Sequence, residues 1–257
     1  MFEAGVIVAV FALAFFFLGY TNFPDYIFVI IAGAAGIAGY YFYFLRQFFG
    51  RASRQLLSEQ LSQGRLFFIS TLLGTIFMSS DRLLVGKFLD LRTLGIYSAY
   101  YLASFTLVAQ GTQLFTNVFF PATARLENKA FAKKIDRLMI LGFLPIALVI
   151  GALIILMLLI FGKDYPMSPI YITGFSVLSA SYFFFSLYNT VLLDASKSVY
   201  KRYLIVMNIV NFSIVAALVV ASFVGIFSVT ATLVALIINY LTMILIQRRF
   251  IEQMRRD

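Results

Sequence analysis

The stretch YLIVMNIVNFSIVAALVVASFVGIFSVTATLVALIINYLTMILIQ, Tyr203–Gln247, runs for 45 residues without a charged side chain. As one helix it would extend about 68 Å at 1.5 Å per residue, whereas the hydrocarbon core of a bilayer is about 30 Å thick. It therefore reads as two membrane spans joined by a tight turn near Gly225, between Val224 and Phe227. In lipid every backbone N–H and C=O must be paired within the segment, so such spans are helices. Six further uncharged runs lie upstream, at residues 4–20, 26–45, 66–80, 93–124, 138–162 and 165–193. The fold class is thus all-α integral membrane, with about eight transmembrane helices.

The basic residues orient these spans. Sixteen of the twenty Lys and Arg fall in the loops 46–65, 125–137 and 194–202 and in the tail after Gln247, and the intervening loops hold only Arg82, Lys87, Arg92 and Lys163. The positive-inside rule puts the sixteen in the cytoplasm. Both termini are then cytoplasmic, as an even number of spans requires, in a multi-pass protein of the cytoplasmic membrane. The net charge of +9 and pI of 9.8 could suit a nucleic-acid binder. Here the basic residues flank spans, where they meet anionic headgroups, so membrane lipids are the expected partner and nucleic acid is not.

The chain has no Cys, His or Trp. It can form no disulfide or thiol nucleophile, and it lacks the commonest general base and metal ligand. The eleven carboxylates lie nearly all in loops, without metal-site spacing, and no Gly-rich phosphate loop follows a strand. The expectation is a protein that is not an enzyme, with no catalytic residues, no metal and no cofactor. Tyr20, Tyr26, Tyr97, Tyr165 and Tyr203 lie near span ends and read as interfacial belt residues, and the many Phe as lipid contacts and helix packing. Met1-Phe2-Glu3 leads into an apolar run without a basic leader, which does not read as a signal peptide.

Residues 1–45 form a transmembrane hairpin turning at Thr21–Asp25. A stripe of Gly33, Gly36 and Gly39 in its second span suggests close helix packing. Residues 46–64 read as a cytoplasmic linker. Leu56, Leu57 and Leu61 give it a short amphipathic helix on the interface, with a domain boundary near Gln63–Gly64.

The third span is the informative one. Leu66–Ser80 covers only about 22 Å, and it ends in Asp81-Arg82 followed by Leu83-Leu84-Val85. The helix is expected to continue to about Val85, carrying both charges at a depth where they face a bundle interior or a water-filled cavity and pair. The alternative is a short span with Arg82 snorkelling to the headgroups. In the fourth span Gln110, Gln113 and Asn117 share one face, extended by Thr106. They either bond a neighbouring helix or form a polar lining able to bind sugar hydroxyls. Pro121 is expected to end or bend that helix, and Asn208, Asn211 and Asn239 to bond helix to helix.

Four short elements resemble a known family. Ser80-Asp-Arg-Leu-Leu-Val-Gly-Lys-Phe-Leu-Asp-Leu-Arg-Thr-Leu-Gly-Ile-Tyr-Ser-Ala-Tyr100 is similar to a pattern S-D-R-x-x-x-G-x-F-x-x-x-x-x-x-G-x-Y-x-A. Phe119-Phe-Pro-Ala-Thr-Ala-Arg-Leu126, Phe161-Gly-Lys-Asp-Tyr165 and Asp194-Ala-Ser-Lys-Ser198 follow in order. Together they resemble the polysaccharide flippases of the multidrug/oligosaccharidyl-lipid/polysaccharide exporter superfamily, over about residues 64–246.

Members of that family have twelve to fourteen spans in two six-helix lobes. By this resemblance residues 65–257 correspond to a six-helix second lobe with a cytoplasmic tail, and residues 1–45 to the last hairpin of a first lobe. The chain would then be a C-terminal portion, a fragment without the first lobe's four earlier spans. The implied activity is alternating-access translocation of a polyprenyl-diphosphate-linked oligosaccharide for polysaccharide biosynthesis, with polysaccharide-assembly proteins as a further partner class. The implied substrate-binding residues are Arg82 for an anionic group, Asp81 as its partner or gate, and Gln110, Gln113 and Asn117 for sugar. A cation-coupled drug or small-solute exporter of the same superfamily is the first alternative, with Asp81 as its one buried acid. A membrane glycosyltransferase or polymerase is the second, although the longest loop offers only Glu59 as a catalytic carboxylate.

Overall fold

Uncharged runs of membrane length become helices because the apolar side chains leave the backbone no other partner. The computed structural model describes residues 23–46, 54–123, 128–162, 165–192 and 197–253, and no strand occurs among them. The helices are α1 (Phe23–Leu45), α2 (Arg54–Phe88), α3 (Leu91–Tyr101), a π-helical turn (Leu102–Thr106), α4 (Leu107–Thr123), α5 (Asn128–Phe161), α6 (Pro169–Leu192), α7 (Lys197–Val224) and α8 (Val229–Gln253). Five segments among the described residues are long and apolar enough to cross a membrane: Phe68–Phe88, Lys134–Phe161, Pro169–Leu192, Val199–Val224 and Val229–Gln253. Of the other three expected spans, residues 4–20 lie outside the described residues. The second is α1, and the fourth is the run α3–π turn–α4. The chain is an all-α, multi-pass membrane protein.

The chain divides into two compact units, residues 1–64 and 65–257. In the first, Tyr40 and Phe44 stack with centroids 6.4 Å apart on α1, and the Arg46 guanidinium lies 4.2 Å from the Tyr43 ring centroid. Of the glycine stripe expected to pack, Gly33 is buried, whereas Gly36 and Gly39 are exposed. A Cβ at Gly36 or Gly39 would meet nothing within 4 Å.

The linker differs from expectation. From Arg54 onward it is not a separate interfacial helix but the beginning of α2, a single helix of 35 residues that continues through Gly64. A glycine within a helix costs only about 1 kcal/mol, too little to break a helix supported on both sides.

In the second unit the turns follow from glycine. Gly162 (φ +104°) ends α5 with its N–H on Leu158 O, 3.2 Å away. Gly225 (φ +79°) ends α7 where the sequence places the turn, and the Ile226 N–H returns to Ala221 O at 3.1 Å. Both are left-handed caps that a residue with a Cβ takes up only under strain. Helix α4 runs two residues beyond Pro121, to Thr123.

Helix α6 is the axis of this unit and packs along both α5 and α8. One apolar cluster gathers Tyr97, Tyr100, Phe105, Phe175 and Leu233. A second gathers Ile135, Phe184, Tyr188, Tyr203 and Ile244. The clusters mark the two ends of the unit. At the first, the Tyr100 hydroxyl donates to Pro166 O (2.6 Å) and accepts from the Ser168 N–H (2.9 Å). At the second, Arg248 Nε lies 3.1 Å from Asp136 Oδ1. Between the ends the outward surface is apolar, with Ile140, Leu144, Ile209 and Leu245 exposed as lipid-facing residues are.

Candidate functional site

The short third span sets the site. Helix α2 continues through Asp81-Arg82 to Phe88, so both charges are borne on the helix rather than in a loop. The two residues take different positions. Asp81 is 2% exposed. Its Oδ2 accepts the Tyr97 hydroxyl from α3 at 2.5 Å, and its Oδ1 accepts the Arg82 backbone N–H at 2.7 Å. The space beside it, enclosed by Phe77, Met78, Tyr101, Phe105, Leu178, Leu236 and Tyr240, is about 10 Å³. That is at or below the roughly 10–15 Å³ a single water needs, so no polyatomic ligand reaches this carboxylate.

Arg82 turns outward. Its side chain is 41% exposed, and the guanidinium carbon sits 4.7 Å from the centroid of the Tyr101 ring. Nη2 donates to Met78 O at 3.3 Å. Nε lies 4.0 Å from Asp81 Oδ1, too far for a hydrogen bond, and is buried without an acceptor. The result is a cation positioned by a ring and a nearby carboxylate, with most of its N–H donors uncommitted. A guanidinium so held can grip a planar or tetrahedral oxyanion with paired donors.

The residues around this site explain the motif between Ser80 and Tyr100. The Ser80 hydroxyl donates to Phe77 O at 2.7 Å. A Cβ on Gly86 would stand 2.9 Å from Leu94 Cδ2, so any side chain there makes the Leu94 tip shift where α2 and α3 meet. Phe88 packs edge-on against Phe223 and Phe227. Asp90 caps α3, its Oδ1 accepting the Thr93 N–H (2.8 Å) and its Oδ2 the Thr93 hydroxyl (2.6 Å). Those two bonds hold the Asp90 carboxyl below its ordinary range.

Gln110, Gln113 and Asn117 share one face of α4, and all three are exposed. They do not join Asp81 and Arg82, and none hydrogen-bonds another helix among the described residues. The buried position of this stretch is Thr112, whose hydroxyl returns to Val108 O at 2.7 Å. The expected helix-to-helix bonds occur instead among the asparagines. Asn239 Nδ2 donates to Asn211 Oδ1 at 3.1 Å, and Asn208 Nδ2 donates to Ser70 Oγ at 3.3 Å.

Two tyrosines read as belt residues are core residues. Tyr97 is 1% exposed and Tyr203 is fully buried. Each was drawn inward because its hydroxyl finds a partner there, Asp81 for Tyr97 and Gln247 Nε2 (2.8 Å) for Tyr203. Tyr97 is thus a member of the site that span-end position alone misassigned, and Tyr101 is a member that the sequence reading did not single out. The signal available was their spacing of one helical turn at the end of the Ser80–Tyr100 motif.

The family described as polysaccharide biosynthesis protein matches residues 3–165, more than half of the chain. The chain belongs to that family. Membership gives it a role in polysaccharide synthesis or export, and it agrees with the resemblance to polysaccharide flippases carried by the Ser80–Tyr100 motif. The polysaccharide biosynthesis family match covers residues 3–63, which the motifs did not, and ends at Tyr165. No curated protein and no solved structure was found to match the chain.

Proposed function

We propose that this member of the polysaccharide biosynthesis family translocates a polyprenyl-diphosphate-linked oligosaccharide across the cytoplasmic membrane by alternating access. It acts as a transporter rather than an enzyme, with both termini in the cytoplasm. The observation that carries this reading is Arg82, a half-exposed guanidinium borne by a membrane helix and backed by the Tyr101 ring and buried Asp81. A half-exposed cation at such a position, with most of its N–H donors uncommitted, is costly unless it serves an anion. A diphosphate supplies that anion, and its polyprenyl tail can stay in the bilayer beside the apolar outer surface. Asp81 holds Arg82 in place rather than touching substrate, because its own surroundings admit no ligand. The exposed amides of Gln110, Gln113 and Asn117 are secondary sugar contacts in this reading.

The test is export in the native host. Arg82→Ala should abolish polysaccharide at the cell surface and accumulate lipid-linked oligosaccharide facing the cytoplasm, with membrane abundance unchanged. Arg82→Lys, which keeps the charge but loses the paired donors, should retain partial export. Normal export by Arg82→Ala would remove Arg82 as the partner of the diphosphate, and normal export by a host lacking the protein would refute the translocation reading.

A further inference from the structure

A second cavity lies farther along α2, toward Ser70, bounded by α6, α7 and α8. Its volume is about 260 Å³. It exists because α2 approaches these helices through side chains rather than close backbone packing, and because Gly74 contributes no side chain there. A Cβ at Gly74 would meet nothing within 4 Å. We propose that this cavity is a subsite for a neutral, hydroxyl-rich ring, namely a sugar unit of the translocated oligosaccharide. The proposal rests on the translocation reading and deepens it.

The lining carries the argument. Tyr182, Tyr200 and Tyr240 present aromatic surface, while Ser70, Asn189 and Asn211 present hydroxyl and amide groups. No Lys, Arg, Asp or Glu lines it, so it is no place for a diphosphate. Aromatic faces take the C–H face of a pyranose, and convergent amides take its hydroxyls.

The polar groups also have bonds to give. No hydrogen bond joins Asn189, or the Tyr240 hydroxyl, to another described residue. Asn211 spends its Oδ1 on Asn239 and keeps its own N–H groups free. Ser70 Oγ accepts from Asn208, leaving its proton to donate, and the buried Asn208 Oδ1 beside it has no partner. Polar groups left open in an aromatic cavity call for a hydroxylated occupant.

Position fits the same ligand. Phe77, Met78 and Tyr240 line both this cavity and the small space at Asp81. From Ser70 to Arg82 is about 18 Å along the helix, the reach of a few sugar units. One α2 helix would thus hold the diphosphate at Arg82 and a sugar near Gly74.

The test uses the purified full chain in nanodiscs. The probe is the soluble oligosaccharide repeat released by mild acid from the host's own lipid-linked pool, and its contact is read by saturation-transfer NMR. Wild type and Arg82→Ala should both bind it, because the probe lacks the diphosphate. Gly74→Leu, which fills the cavity, and Asn189→Leu, which removes an amide the fold does not use, should each weaken binding about tenfold or more. No binding by wild type, or undiminished binding by a Gly74→Leu protein with normal thermal stability, would overturn the subsite. Loss of probe binding in Gly74→Leu together with unchanged surface polysaccharide in a host lacking this protein would keep a sugar site and sink the translocation reading.

Discussion

Two glycines twelve residues apart on α2 sit in opposite surroundings. At Gly86 a Cβ would collide with Leu94 at 2.9 Å, and at Gly74 it would meet open space. The Gly86 region is a closed corner. Asp81 is tied to Tyr97, Phe88 packs edge-on against Phe223 and Phe227, and Asp90 caps the next helix. The Gly74 region is a cavity in which Asn189 and the Tyr240 hydroxyl stay uncommitted among the described residues. One residue type therefore serves close approach at one end of the helix and vacancy at the other. The difference separates what holds the unit together from what is available to a ligand.

The largest effect should come from breaking the corner. Asp81→Leu leaves the buried Tyr97 hydroxyl without its acceptor and Arg82 without its neighbouring carboxylate. The expected loss is about 3 kcal/mol, read as a lower midpoint of thermal unfolding in nanodiscs. Asp81→Asn keeps an acceptor for Tyr97 and should lose about half as much. Equal losses for the two variants would mean that charge, not the Tyr97 bond, dominates the corner.

The contrast between the glycines is itself testable. Gly86→Leu overpacks the α2–α3 approach and should cost about 1–3 kcal/mol, whereas Gly74→Leu should stay within about 0.5 kcal/mol of wild type. Comparable destabilisation by both would erase the distinction between closed and open regions.

Much of this was legible in the sequence because absence of charge over a span's length is a strong signal that no packing detail overrides. The turn at Gly225 and the burial depth of Asp81 followed from span lengths alone. What escaped depended on contacts between distant segments. Tyr97 looked like a belt residue until α3 folded back onto Asp81, sixteen residues upstream. The cavity is formed by four helices and one missing side chain, and no local pattern records such a gap. The continuity of α2 was obscured by Gly64, whose propensity cost is small against the helix on either side. Gln110, Gln113 and Asn117 were correctly grouped on one face, but a helical period alone does not say which way that face points.

A smaller effect is expected at the asparagine pair beside the cavity. Asn239→Leu removes the donor to Asn211 Oδ1 and should cost about 0.6 kcal/mol, the average for an interhelical hydrogen bond in a membrane. Because it frees Asn211 Oδ1 without touching the lining, probe binding at the cavity should persist. Loss of binding at normal stability would make the pair part of the subsite rather than its frame.

The smallest effect is a pH dependence at the edge of the corner. Asp90 is exposed, and its carboxylate accepts two bonds from Thr93 that hold its pKa below the ordinary 3.8. A carboxyl whose folded value is depressed contributes stability above the unfolded value and loses it as pH falls through the folded one. The gap in unfolding midpoint between wild type and Asp90→Ala should therefore be constant from pH 8 down to about 5, then narrow as pH falls below about 4. Salt should shrink only a minor part of it, since the two Thr93 hydrogen bonds outweigh the charge of Arg92 as causes of the shift. A gap that widened on acidification would mean that the protonated carboxyl, not the carboxylate, caps α3, and the cap would then add nothing to the corner at neutral pH.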